Sequence, residues 1–152
     1  MSEREDENII RSIQYLKKMG YRITPQRIAV MKALSKSKNH PSAEEIYKEV
    51  IEKFPKISIA TIYNVLTVLK KENLIKTIRI NDETNRYDYD LSVHAHFLCK
   101  ECSRVYDVDI EEKIISDIIK GNILLKNSII DGTEVIIKGI CPKCKNKKDN
   151  NS

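Results

Sequence analysis

The chain's 152 residues suit one domain of ordinary size or two small ones sharing an interface, and no apolar run approaches the roughly 20 residues that span a bilayer. The opening MSEREDENII is charged and acidic, unlike a signal peptide, so no membrane association and a cytoplasmic location are expected. The net charge of +5 is unevenly spread, with 16 basic and 9 acidic side chains over residues 8–90 against 10 and 9 over residues 91–152, which points to a polyanion partner for the front half or to a plain solvated lysine-rich face.

In chain order, Ile9, Ile10, Ile13 and Leu16 fall on one face of a predicted helix that Gly20 ends. RITPQRIAVMKALSK starts a second helix, with Thr24 as N-cap, Pro25 in the first turn, and Ile28, Met31 and Leu34 as its stripe. HPSAEEIYKEVIEKF starts a third, where Ser42 followed by Glu45 reads as a capping box and Ala43, Ile46, Val50 and Phe54 face inward. A fourth helix, capped by Ser58 and closing near Asn73, repeats Ile62, Val65, Leu66 and Leu69 at helical spacing. IKTIRI and RYDYD then read as strands joined by the polar loop NDETN. Helices followed by a β-hairpin is the winged-helix order.

A second unit begins near Leu91. HFLCK and RVYDVD are predicted strands around a cysteine-containing turn, and EEKIISDIIKG is an amphipathic helix stopped by Gly121. NSIIDGTEVIIKGIC supplies another β segment, with a hairpin expected at Asp131-Gly132. Residues 146–152 are polar, without periodicity, and predicted to be a disordered tail. Two units this small each bury little apolar surface, so a metal staple or dimerisation would help either one.

Cys99-x-x-Cys102 and Cys141-x-x-Cys144 are two CxxC knuckles 38 residues apart, and they account for every cysteine in the chain. Each knuckle turns two thiolates toward one point, and two knuckles complete a closed tetrahedral shell of the kind that holds structural zinc. A thioredoxin-like redox motif would explain one pair and not both.

With the cysteines assigned, His94, His96, Asp107, Asp88 and His40 remain. In an extended strand His94 and His96 point to the same face, and Asp107 lies on the returning strand. Imidazole and carboxylate together suit Fe(II), Mn(II) or Zn and are too hard for copper(I). Taken alone, His40 before Pro41 reads more readily as a surface or capping side chain than as a ligand.

The segments RITPQR, HPSAEEIY, ISIATIYNVL, NRYDY and HAHFLCKECSRVYDVD, closed by the second CxxC, resemble the ferric uptake regulator (Fur) family over about residues 9–145. The resemblance implies an α+β protein, with a winged-helix DNA-binding domain at 1–88 and a small α/β dimerisation and metal-binding domain at 89–145. It implies a homodimeric metal-sensing repressor and not an enzyme, with structural zinc and a regulatory ion at the hinge. Two Asp and three His match the peroxide-sensing PerR branch at His40, Asp88, His94, His96 and Asp107, with Fe(II) or Mn(II) as the ion. In that branch peroxide reacting at bound iron oxidises a histidine, here His40 or His94. Iron-sensing members commonly carry Glu at the positions of Asp88 and Asp107, and iron sensing is the alternative. Zinc-sensing members usually have a cysteine near the Asp88 position, and a third site of some members needs a histidine beyond His96; this chain has neither.

By the same resemblance the fourth helix reads the major groove of an inverted-repeat operator. Tyr63 would offer its ring to thymine, with Ser58, Thr61 and Asn64 as nearby hydrogen-bonding candidates. Arg22 matches a residue that enters the minor groove, and Lys70, Lys71 and Arg79 could meet phosphates. Tyr63 is alternatively a core residue beside Ile62. Two other classes stay open: a metallohydrolase using the His/Asp cluster, although no motif such as HExxH or GxSxG is present, and a zinc-stabilised interaction module.

Overall fold

The structure is a computed structural model that describes residues 3–81 and 84–150. It divides into two compact units at Leu91/Ser92.

The first unit runs α1 (Glu3–Lys18), α2 (Pro25–Lys36), α3 (Ala43–Ile51), α4 (Ile59–Lys71), β1 (Lys76–Arg79) and β2 (Asn85–Asp88). The starts follow from capping chemistry. Thr24 accepts a hydrogen bond from the Arg27 N–H ahead of Pro25, and Ser58 accepts from Thr61 N–H. Ser42 and Glu45 close a full capping box, with the Ser42 N–H donating to Glu45 Oε2 at 2.8 Å. Leu16, Val30, Met31, Leu34, Ile46, Ile62, Leu66 and Leu69 form the centre of one apolar core. Ile10 does not join it: one residue is about 100° of helix rotation, so with Ile9 and Leu16 buried Ile10 turns to solvent. The wing is an antiparallel pair with Thr77 opposite Tyr87 and Ile78 opposite Arg86. Residues 82 and 83 of its loop lie outside the described residues.

The second unit runs β3 (Ala95–Cys99), β4 (Val105–Val108), α5 (Glu112–Gly121), α6 (Ile123–Lys126), β5 (Ile136–Gly139) and α7 (Pro142–Asn150). Its sheet has the order β4-β3-β5, antiparallel on one side of β3 and parallel on the other. Three features differ from the sequence reading. The Asp131-Gly132 hairpin does not form, because β5 takes β3 as its partner and residues 129–135 become part of the crossover. A short α6 follows Gly121, nucleated by Asn122, whose side chain accepts from Leu124 N–H and Leu125 N–H. The segment read as a disordered tail from residue 146 is helical through Asn150, with Pro142 at the first helical position and Lys145 N–H bonded to the Cys141 carbonyl.

Gly139 marks a close approach within this sheet. A Cβ there would lie 3.1 Å from the Phe97 ring on β3. Gly139→Ala is expected to cost about 1 kcal/mol as the ring is pushed aside, read as a lower melting temperature of the second unit.

Candidate functional site

The first knuckle occupies the turn between β3 and β4, and the second leads from β5 into α7. The two knuckles meet because β3 and β5 are neighbours, with Cys99 opposite Gly139 in the parallel register. The four Sγ atoms all lie within 4.8 Å of one another. A tetrahedral shell with metal–sulfur bonds of about 2.3 Å has edges of about 3.8 Å, and Cys102 Sγ stands 3.9 Å from Cys141 Sγ. The four thiols are thus gathered closely enough for one zinc ion, and this edge already has the length of a zinc–thiolate shell. Cys99 and Cys141 are buried, and the Cys141 N–H donates to Cys99 Sγ at 3.3 Å. That hydrogen bond is the main reason the Cys99 thiol is pulled down to about 6, whereas Cys144, bonded to Cys141, is pushed up to about 12. Four facing thiols ionise together only around a cation.

A second cluster lies on the same sheet. His96 on β3 is opposite Asp107 on β4. The Nε2 atoms of His94 and His96 are 3.0 Å apart, and Asp107 Oδ1 is 3.4 Å from the first and 3.7 Å from the second. Two nitrogen ligands at about 2.1 Å from one ion and at right angles are about 3.0 Å apart, so these three atoms have the spacing of one face of a coordination shell. His94 Nδ1 is 3.0 Å from the Ser92 carbonyl. A proton held there leaves Nε2 as the lone-pair nitrogen.

The first unit holds a buried pair of its own, His40 Nδ1 3.6 Å from Asp88 Oδ1. His40 has a left-handed backbone with φ of 47°, unfavourable for a residue with a Cβ. It is held by the wing: Arg86 Nη1 donates to the His40 carbonyl at 2.9 Å, and Tyr87 N–H donates to the Pro41 carbonyl at 3.0 Å. The same Arg86 nitrogen lies 2.9 Å from Glu45 Oε2, the acceptor in the α3 capping box. Sequence reasoning missed Arg86 because nothing local ties residue 86 to residues 40 and 45.

Of the residues read as DNA contacts, Tyr63 and Asn64 are exposed on α4, while Ile62 beside them is fully buried. Tyr63 is 44% exposed, which removes the core-packing alternative. Its hydroxyl donates to Glu44 Oε1 on α3 at 2.7 Å. Ser58 is exposed, but Ser58 Oγ and Thr61 Oγ1 are bonded to each other at 3.0 Å, so both hydroxyls already serve the start of α4. Arg22, Lys70, Lys71 and Arg79 are all exposed. Among the described residues no helix is long and apolar enough to cross a membrane.

The model of the ferric uptake regulator family matches residues 18–130. A peroxide-responsive repressor PerR of Staphylococcus epidermidis is 36% identical over 140 residues, covering 92% of each chain. A Campylobacter jejuni peroxide stress regulator of known structure superposes with a TM-score of 0.69 at 28% identity, over 87% of this chain and 98% of that one. The ferric uptake regulator Fur of Helicobacter pylori shares the fold, with a TM-score of 0.78 at 23% identity over 93% of each chain. The match covers most of both units and includes α2 to α6, the wing and the first cysteine knuckle, and the chain belongs to the ferric uptake regulator family.

Proposed function

We propose that the protein is a cytoplasmic, homodimeric, metal-dependent repressor of the peroxide-sensing type. The carrying observation is the triangle of His94, His96 and Asp107, an all-nitrogen-and-oxygen ligand set kept apart from the four thiols. Relatives named as peroxide-responsive repressors, at 35–36% identity over about nine-tenths of the chain, support the branch. In this reading Cys99, Cys102, Cys141 and Cys144 hold structural zinc. His94, His96 and Asp107, with His40 and Asp88, would hold one Fe(II) or Mn(II), and iron bound there would supply the electron that splits peroxide.

The protein's own residues divide the remaining work. Ser92 fixes the His94 tautomer, and Arg86 holds His40 in place through its carbonyl. An ion that needs ligands from both units favours the arrangement that supplies them, which shifts the population toward one DNA-binding form. The exposed Ile114, Ile118, Ile123, Leu124 and Ile129 give the second unit an apolar surface suited to a second copy of the chain.

A DNA shift assay with and without Mn(II) tests this reading. Tyr63→Ala should lose discrimination between operator and scrambled duplex, by about 1–3 kcal/mol for a lost base contact. Lys70→Ala should weaken both alike and lower the salt slope by about 1, as for a lost phosphate contact. Unchanged discrimination in both variants would show that α4 is not the reading element. Binding indifferent to Mn(II) would remove the regulatory site.

A further inference from the structure

We propose that Glu44 is a specificity-determining residue of the DNA-reading surface. Its carboxylate holds the Tyr63 phenol so that the ring, rather than the hydroxyl, is offered to base edges, while its charge opposes close approach of any duplex. The inference rests on the reading of α4 as the DNA-reading helix.

The geometry begins with the first turn of α3. Glu45 is committed to the capping box and to Arg86. Glu44, one residue earlier, reaches across the helix-turn-helix to the Tyr63 hydroxyl, 19 residues away in sequence and 2.7 Å away in space. A charge-assisted hydrogen bond of that length is among the stronger classes of polar contact. The bond holds the Glu44 carboxyl below the usual carboxylate range and pushes the Tyr63 phenol up to about 12, so acceptor and donor keep their roles at neutral pH. Glu44 also sits in the first turn of α3, where an anion is favoured.

Two consequences separate this role from that of an ordinary surface contact. A phenol whose only proton is engaged has a free ring and no free donor. Tyr63 is thereby a reader of apolar groups such as the thymine methyl, not of phosphates. An ionised carboxylate beside this surface repels every duplex about equally, so its charge acts on affinity and its hydrogen bond acts on discrimination.

The test uses the full-length Mn(II)-loaded protein, a duplex enriched from a random pool by the wild type, and a scrambled duplex of the same composition. Glu44→Gln keeps an acceptor and removes the charge. It should tighten binding to both duplexes by a similar factor and retain the wild-type ratio. Glu44→Ala should also tighten binding to scrambled DNA, but its operator-to-scrambled ratio should fall by about threefold to tenfold, the size of a lost hydrogen bond. Tyr63→Phe should lower the ratio by as much, and the double variant by no more than either single one. A Glu44→Ala protein with the wild-type ratio, or a double variant whose losses add, overturns the proposal and leaves the DNA-binding reading intact. A wild type that enriches no sequence overturns both.

Discussion

Cys99→Ser is expected to release close to one zinc per chain and to unfold the second unit while the first keeps its fold. The asymmetry follows from where apolar surface is buried. The core cluster of the described residues lies wholly in the first unit, from Ile9 to Tyr87, whereas the buried apolar residues of the second are Ala95, Leu98, Cys99, Val105 and Cys141. Two of those five are themselves ligands in the proposed zinc site. Structural zinc in small metal-folded peptides is worth about 10–16 kcal/mol at neutral pH, far more than five side chains supply. The serine hydroxyl can still accept from the buried Cys141 N–H, so the expected loss is that of the metal ligand and not of this hydrogen bond. Metal content by atomic spectroscopy and dimer content by sedimentation give the readout, with a separate melting transition reporting the first unit. A Cys99→Ser protein with full zinc and an intact dimer would end the structural assignment of the four-cysteine site.

The iron-loaded protein should lose operator binding after brief exposure to peroxide, while the manganese-loaded protein keeps it. Both ions suit the same nitrogen and oxygen ligands, but Mn(II) does not readily give peroxide an electron. Mass spectrometry should find one added oxygen on His40 or His94, with the four cysteines still reduced. His94 is a strong candidate target because its Nε2 lies within 3.4 Å of both His96 Nε2 and Asp107 Oδ1. Asp107→Glu should blunt the response, since a longer carboxylate on a half-exposed strand position changes its reach and its binding mode. Release of DNA with unmodified histidines would instead implicate the thiols. An iron form that stays bound through peroxide treatment would favour iron sensing over peroxide sensing.

Much of this was legible because its signals are short-range. CxxC, HxH, Thr24-Pro25 and Ser42 with Glu45 each place their chemistry within a few residues, and the structure brings the four cysteines together and forms both caps. What escaped depends on distant pairing. The Asp131-Gly132 turn was locally well formed as a pattern, yet β5 found its partner in β3. The link from Arg86 to His40 and Glu45 exists only once the wing docks beside α3, and the Tyr63–Glu44 bond only once α3 and α4 cross. The α7 helix was hidden by lysine-rich composition, although Pro142 stood at its start.

The wing carries a constraint on length variation. Arg86 and Asp88 alternate with Tyr87 along β2, and both reach the His40 loop while Tyr87 enters the core. Because strand side chains alternate in facing, a one-residue slip of β2 would turn Arg86 and Asp88 outward together and withdraw Tyr87 from the core. Insertions between Arg79 and Asn85 should therefore be accepted in the loop, whereas a single-residue deletion inside β2 should abolish metal response and fold stability in the same step.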